Sequence, residues 1–123
     1  MADTITTHDG RLIARDVRWA HTALERSKGL LGEPKLQPGE ALVIEPGRQV
    51  HTFGMRYPID VLFCDRDWVV VHVARAMPPM RIGRWVRKAR YAIELRDGAA
   101  DELSVGDRLK VDQAGGTSSR PVM

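Results

Sequence analysis

Five polar residues lie in or beside strongly apolar segments and could carry chemistry: Arg26, His51, Arg56, Asp60 and Glu94. Asp60 stands in the run Ile59-Asp60-Val61-Leu62-Phe63-Cys64, and Glu94 in Tyr91-Ala92-Ile93-Glu94-Leu95. A carboxylate drawn into an apolar strand needs a partner or an exit to water. Two chemistries suit this set. In one, Asp60 or Glu94 is a general base in a cleft with His51, and the arginines clamp an anion. That arrangement would make a small hydrolase or a carbohydrate-active enzyme. In the other, both carboxylates accept backbone N–H bonds or pair with Arg26 and Arg56, and so hold a β framework together. The second is preferred, and the discriminator is whether the Asp60 and Glu94 side chains meet in one open cleft.

The other reactive types are less promising. Cys64 is the single cysteine. Its neighbour Asp65 opposes thiolate formation, so a core thiol is expected there and not a nucleophile. The four histidines are dispersed, with no His-x-x-x-His or Cys-x-x-Cys spacing. Neither a metal site nor a cofactor is expected. No Gly-x-Ser-x-Gly or phosphate-binding glycine loop occurs.

A second candidate is a binding surface. From Arg75 to Arg90 the chain carries six basic residues, and no Asp or Glu occurs between Asp67 and Glu94. Trp85 and the methionines Met77 and Met80 are interspersed among them. Arginine forks match phosphate and carboxylate, and Trp adds contact area. Arg81, Arg84, Trp85 and Arg87, helped by Arg26 and Arg56, are therefore the binding candidates, with an anionic ligand or a protein partner as the target. The alternative is a loop whose Met77, Met80, Ile82 and Trp85 cap an open end of the core.

These residues need a scaffold. The chain has 123 residues, 43% of them hydrophobic and 28% charged, which suits one soluble globular domain. A net charge of +3 is too mild to argue for a nucleic acid partner. No run is long and apolar enough to span a membrane, and the first ten residues do not read as a signal peptide, so a cytoplasmic protein is expected. Residue patterning predicts strands near 12–18, 41–45, 59–64, 69–75, 91–95 and 108–111. The two runs flanking Asp65-Arg66-Asp67-Trp68 read as a hairpin of fully covered strands. One short α-helix is predicted over 22–31, opened by the capping box Thr22 to Glu25 and closed by Gly32 and Pro34. The expected architecture is mainly β, a compact sandwich- or barrel-like domain over residues 11–112, with a loose segment 1–10 and a disordered tail 113–123.

Four motifs carry a resemblance. They are Glu25-Arg26-Ser27-Lys28-Gly29-Leu30-Leu31-Gly32, then His51 through Phe63, then Glu94-Leu95-Arg96-Asp97-Gly98, and Val105-Gly106-Asp107. Together they resemble the bacterial and archaeal family called domain of unknown function 192. The resemblance implies a compact β fold with one short helix and no assigned activity, so it transfers no catalytic residue. It also implies glycine where this chain has Trp68, which leaves the turn type open. Many relatives are exported. The expected role is a small binding or accessory domain acting through the basic loop, with the carboxylate enzyme as the alternative.

Overall fold

The structure, a computed structural model, describes residues 3–21 and 36–113. The helix expected over 22–31, and with it Arg26, lies outside the described residues, as do residues 114–123 of the expected tail. Seven strands follow in chain order: β1 (Asp3–Thr7), β2 (Leu12–Ala20), β3 (Glu40–Ile44), β4 (Ile59–Cys64), β5 (Val70–Met77), β6 (Tyr91–Arg96) and β7 (Leu109–Asp112). They form one sheet in the order β5-β4-β6-β3-β2-β1-β7. Every pairing is antiparallel except β2 with β3.

The sheet curls until its two end strands touch. Val69 bridges Arg108, Val70 N–H donates to Asp107 O (2.8 Å), and Leu109 N–H donates to Trp68 O (2.9 Å). The contact is limited to the starts of β5 and β7, which remain the two ends of the sheet order. Arg75 reaches across beside this seam and donates to Ala100 O and to Leu103 O (2.6 Å).

Each face of the sheet has its own core, which is why the middle strands are nearly continuous in apolar residues. The inner cluster draws on all seven strands, from Ile5 and Val17 through Val43, Leu62, Val70 and Ile93 to Leu109. The outer cluster sets Leu42, Ile59, Val61, Phe63, Met77 and Ala92 of the strands against Leu36, Val50, Met55, Val86 and Ala89 from the connections. All of β4 and the first five residues of β6 are buried. The expectation of two covered faces fails for β5, whose middle residues are half-buried or exposed because it lies at one end of the sheet order.

The segment expected to be loose, 1–10, instead contributes β1. Its sequence Asp-Thr-Ile-Thr-Thr looks polar, but Ile5 is fully buried and the threonines suit a strand. Backbone ladders to β2 and β7 on both sides hold it in place.

The β4–β5 hairpin resolves the question of Trp68, which adopts φ +64. Asp65 N–H bonds Val69 O (3.0 Å) and Trp68 N–H bonds Asp65 O (3.0 Å), a tight turn followed by one left-handed residue. A side chain there costs about 1–2 kcal/mol. The indole offsets this by stacking on Tyr91 (centroids 3.7 Å, 8° between planes) and meeting Trp19 edge-on at 6.1 Å. The side chain therefore works as a clamp over the mouth of the inner core.

Candidate functional site

Asp60 and Glu94 occupy neighbouring strands but opposite faces. Asp60 lies across from Leu95 of the inner cluster, whereas Glu94 lies across from Val61 and Leu42 of the outer one. Residues directly opposite in a ladder share a face. The sheet therefore separates the two carboxyls, and they cannot converge on one substrate atom.

Asp60 is 1% exposed and is wholly engaged by backbone. Oδ1 accepts from Ala76 N–H (2.8 Å), and Oδ2 accepts from Gly98 N–H (3.1 Å) and Ala100 N–H (2.9 Å). Ala76 and Gly98 both have positive φ, so the carboxylate satisfies N–H groups turned out of regular ladders. It fastens the 97–103 turn to the end of β5, as the framework reading of this residue requires.

Glu94 is different. It is 3% exposed, and its Oε1 has no hydrogen-bond partner among the described residues. Burial pushes its pKa up to about 8, so the group is mostly protonated at neutral pH. His51 is exposed, with its ring 5.5 Å from Phe53 and its Nδ1 accepting from Phe53 N–H (3.3 Å), away from the buried environments of both carboxyls. Cys64 is fully buried, and burial, with a further contribution from Asp65, raises its thiol pKa far above the ordinary value. Among the described residues no group of three or more His, Cys, Asp or Glu is placed to hold a metal ion.

The basic segment splits into structural and outward-facing halves. Arg75 binds the carbonyls named above, and Arg90 pairs with buried Glu45 (2.9 Å). Met77, Val86 and Ala89 face the outer core. Arg81, Arg84, Arg87 and Lys88 are exposed, and no described carboxylate pairs with them. Met80, Ile82 and Trp85, which the core-capping alternative would bury, are exposed as well.

Three of the binding candidates, Arg84, Trp85 and Arg87, line one cleft of about 270 Å³ together with Val71, His72, Val86 and Lys88. Partial burial lowers the His72 pKa, and the Arg84 charge lowers it further. The imidazole is therefore mainly neutral at pH 7, and the positive field of the cleft belongs to Arg84, Arg87 and Lys88. Phe63 supports the His72 ring from beneath (5.7 Å). Arg81 is outside this lining, and its guanidinium donates to Met80 O (3.3 Å). Arg56 is exposed on the preceding loop.

Thr52 was the residue missed from sequence. Fully buried, it donates through Oγ1 to Pro78 O (2.6 Å) and accepts from Arg81 N–H (2.9 Å). Its backbone also pairs with Arg81 O (2.8 Å) and Met80 N–H (3.0 Å). It ties the basic segment to the 50–55 loop. A small hydroxyl residue between His51 and Phe53 was the available signal. The Glu45–Arg90 ion pair and the approach of His21 Nδ1 to Glu45 Oε1 (3.3 Å) were missed too, because the partners are far apart in sequence.

Two solved structures share the fold. A protein of unknown function from Novosphingobium aromaticivorans DSM 12444 superposes with a TM-score of 0.75 at 22% identity, over 88% of this chain and 82% of its own. A protein from Sinorhizobium meliloti 1021, described as a candidate transcription regulator, gives 0.74 at 24% identity, over 89% and 91%. No match to a curated protein was found. The sequence profile of the domain of unknown function 192 family, described as an uncharacterised ACR, matches residues 4–111. The chain belongs to that family.

Proposed function

We propose that the protein is a small binding or accessory domain that engages an anionic ligand, or an acidic group on a partner, at the cleft between β5 and the 84–88 segment. One observation carries this reading. Arg84, Arg87 and Lys88 line a concave site beside Trp85 with no described carboxylate to neutralise them. Unpaired guanidinium groups in a cleft focus positive potential, and they offer paired N–H donors to phosphate or carboxylate oxygens. The neutral His72 can add one hydrogen bond without adding charge. On this reading Asp60 is a structural carboxylate and Glu94 a buried neutral one, and neither takes part in binding.

Inorganic tripolyphosphate is the probe for the test, followed by backbone amide shifts. Shifts should concentrate at His72 and residues 84–88 and weaken as salt screens the charges over about 10 Å at 0.1 M. Arg84→Ala with Arg87→Ala should remove them. Shifts spread over every basic residue, or none at all, would reject the reading.

A further inference from the structure

Of the six large hydrophobic side chains that stand exposed among the described residues, four lie on the loops joined by Thr52. They are Phe53 (41% exposed), Met80 (56%), Ile82 (64%) and Trp85 (60%). Scattered single exposures are ordinary, but a cluster of this size marks an interaction surface. The geometry explains how they come together. Gly83 N–H bonds Val50 O (2.9 Å), Thr52 N–H bonds Arg81 O (2.8 Å), and His51 bridges Ile82 in an antiparallel pair. This is a short two-stranded ribbon with buried Val50 and Thr52 facing inward. His51 and Ile82 lie directly opposite and share the outward side, the His51 and Phe53 rings are 5.5 Å apart, and Met80 Sδ accepts from Gly54 N–H (3.4 Å), which gathers these side chains together. Trp85 follows three residues on, within about 10 Å of chain.

Charge defines the partner. Arg56, Arg81, Arg84 and Arg87 lie on the same two loops, and all are exposed. We propose that the ribbon seats the protein on an anionic lipid surface. The four apolar side chains enter the headgroup region, while the arginines face lipid phosphates. This rests on the anion-binding reading above and names its source as a membrane. Phe53, Met80 and Ile82 lie outside the lining of the cleft and add exposed apolar area next to it, which a lipid surface can meet. Aromatic and aliphatic side chains bordered by arginine are the composition of peripheral membrane contacts. Among the described residues no helix is long and apolar enough to cross a bilayer. The Thr52 hydrogen bonds fix the ribbon, and the cluster therefore presents its side chains without first being ordered.

The experiment is sedimentation with phosphatidylcholine vesicles containing none or 30% phosphatidylglycerol, at low and high salt. Binding should require the anionic lipid and fall with salt. Each arginine should contribute about fivefold to partitioning, so Arg84→Ala with Arg87→Ala should reduce it about 25-fold. Phe53→Ser with Ile82→Ser should reduce it at least about tenfold, although it leaves every charge in place. These exposed substitutions should not alter the thermal midpoint, which separates lost binding from lost folding. Tripolyphosphate shifts without vesicle binding would overturn this proposal and leave the anion reading standing. Loss of both would overturn both. Vesicle binding unchanged by the serine pair would show charge attraction alone and overturn the seating of the cluster. Self-association abolished by the serine pair, without vesicle binding, would assign the cluster to a second copy of the chain and overturn it too.

Discussion

Glu94→Gln should reverse its effect on stability with pH. The wild-type carboxyl is buried, its Oε1 has no hydrogen-bond partner among the described residues, and its pKa is raised from 4.5 to about 8. Between those values the folded protein holds a proton that the unfolded chain has released. Stability must therefore fall as pH rises through this window, being fully present below 4.5 and lost progressively towards 8. A shift of that size corresponds to a ceiling of roughly 5 kcal/mol, of which roughly 3 kcal/mol would already be lost at pH 7. Glutamine removes the titration but brings an amide group that the outer core does not satisfy, at a cost of about 1–3 kcal/mol independent of pH. The variant should thus be the less stable protein at pH 5 and the more stable one at pH 8, with the two curves crossing at about pH 6. Urea midpoints at half-unit intervals from pH 5 to 9 would measure this. Subtracting one curve from the other cancels every group the two proteins share, His72 included. A difference that stays flat across the range would refute the reasoning, because Glu94 would then have the same pKa folded and unfolded.

Other substitutions test other joints of the structure. Asp60→Ala strands the N–H groups of Ala76, Gly98 and Ala100, and should cost about 3–6 kcal/mol by urea denaturation, with Asp60→Asn intermediate. Gly47→Ala places a methyl 2.4 Å from the Ala92 backbone nitrogen, and should destabilise by about 1–3 kcal/mol in the same assay. Thr52→Val preserves shape but deletes the Oγ1 hydrogen bonds, so amide exchange at Met80 and Arg81 should accelerate more than exchange in β4.

The strands that could be read from sequence are those whose residues report their own environment. Ile59, Val61 and Phe63 are apolar because they are buried, and β4 lies where the pattern placed it. Strand β1 escaped because its only large apolar residue is Ile5, and its other support is backbone pairing on two sides, which leaves no side-chain pattern. The presence of Asp60 and Glu94 in apolar strands was plain, but their placement on opposite faces was not. That depends on the register of β4 against β6, in which Val61 and not Asp60 lies across from Glu94. The concentration of positive charge around Arg84 was visible because like charges were adjacent in the chain. Its cleft was not, since His72 and Val71 come from β5. The use of Arg75 and Arg90 as internal struts was equally hidden, because their acceptors lie 25 residues away or more.

The position of β1 between β2 and β7 also bears on how the chain folds. Thr4 pairs with Asp112, a separation of 108 residues (112 − 4), and the seam between β5 and β7 closes only when Leu109 reaches Trp68. Contacts this distant must wait for large loop-closure losses to be overcome, which places the protein among slow-folding β topologies. During synthesis β1 leaves the ribosome long before β7 exists, so one of its edges stays open for several seconds at about 5–20 residues per second. Fully buried Ile5 would be exposed through that interval. The hydroxyl-rich sequence around it, Asp3-Thr4 and Thr6-Thr7, makes the waiting strand a poor seed for aggregation.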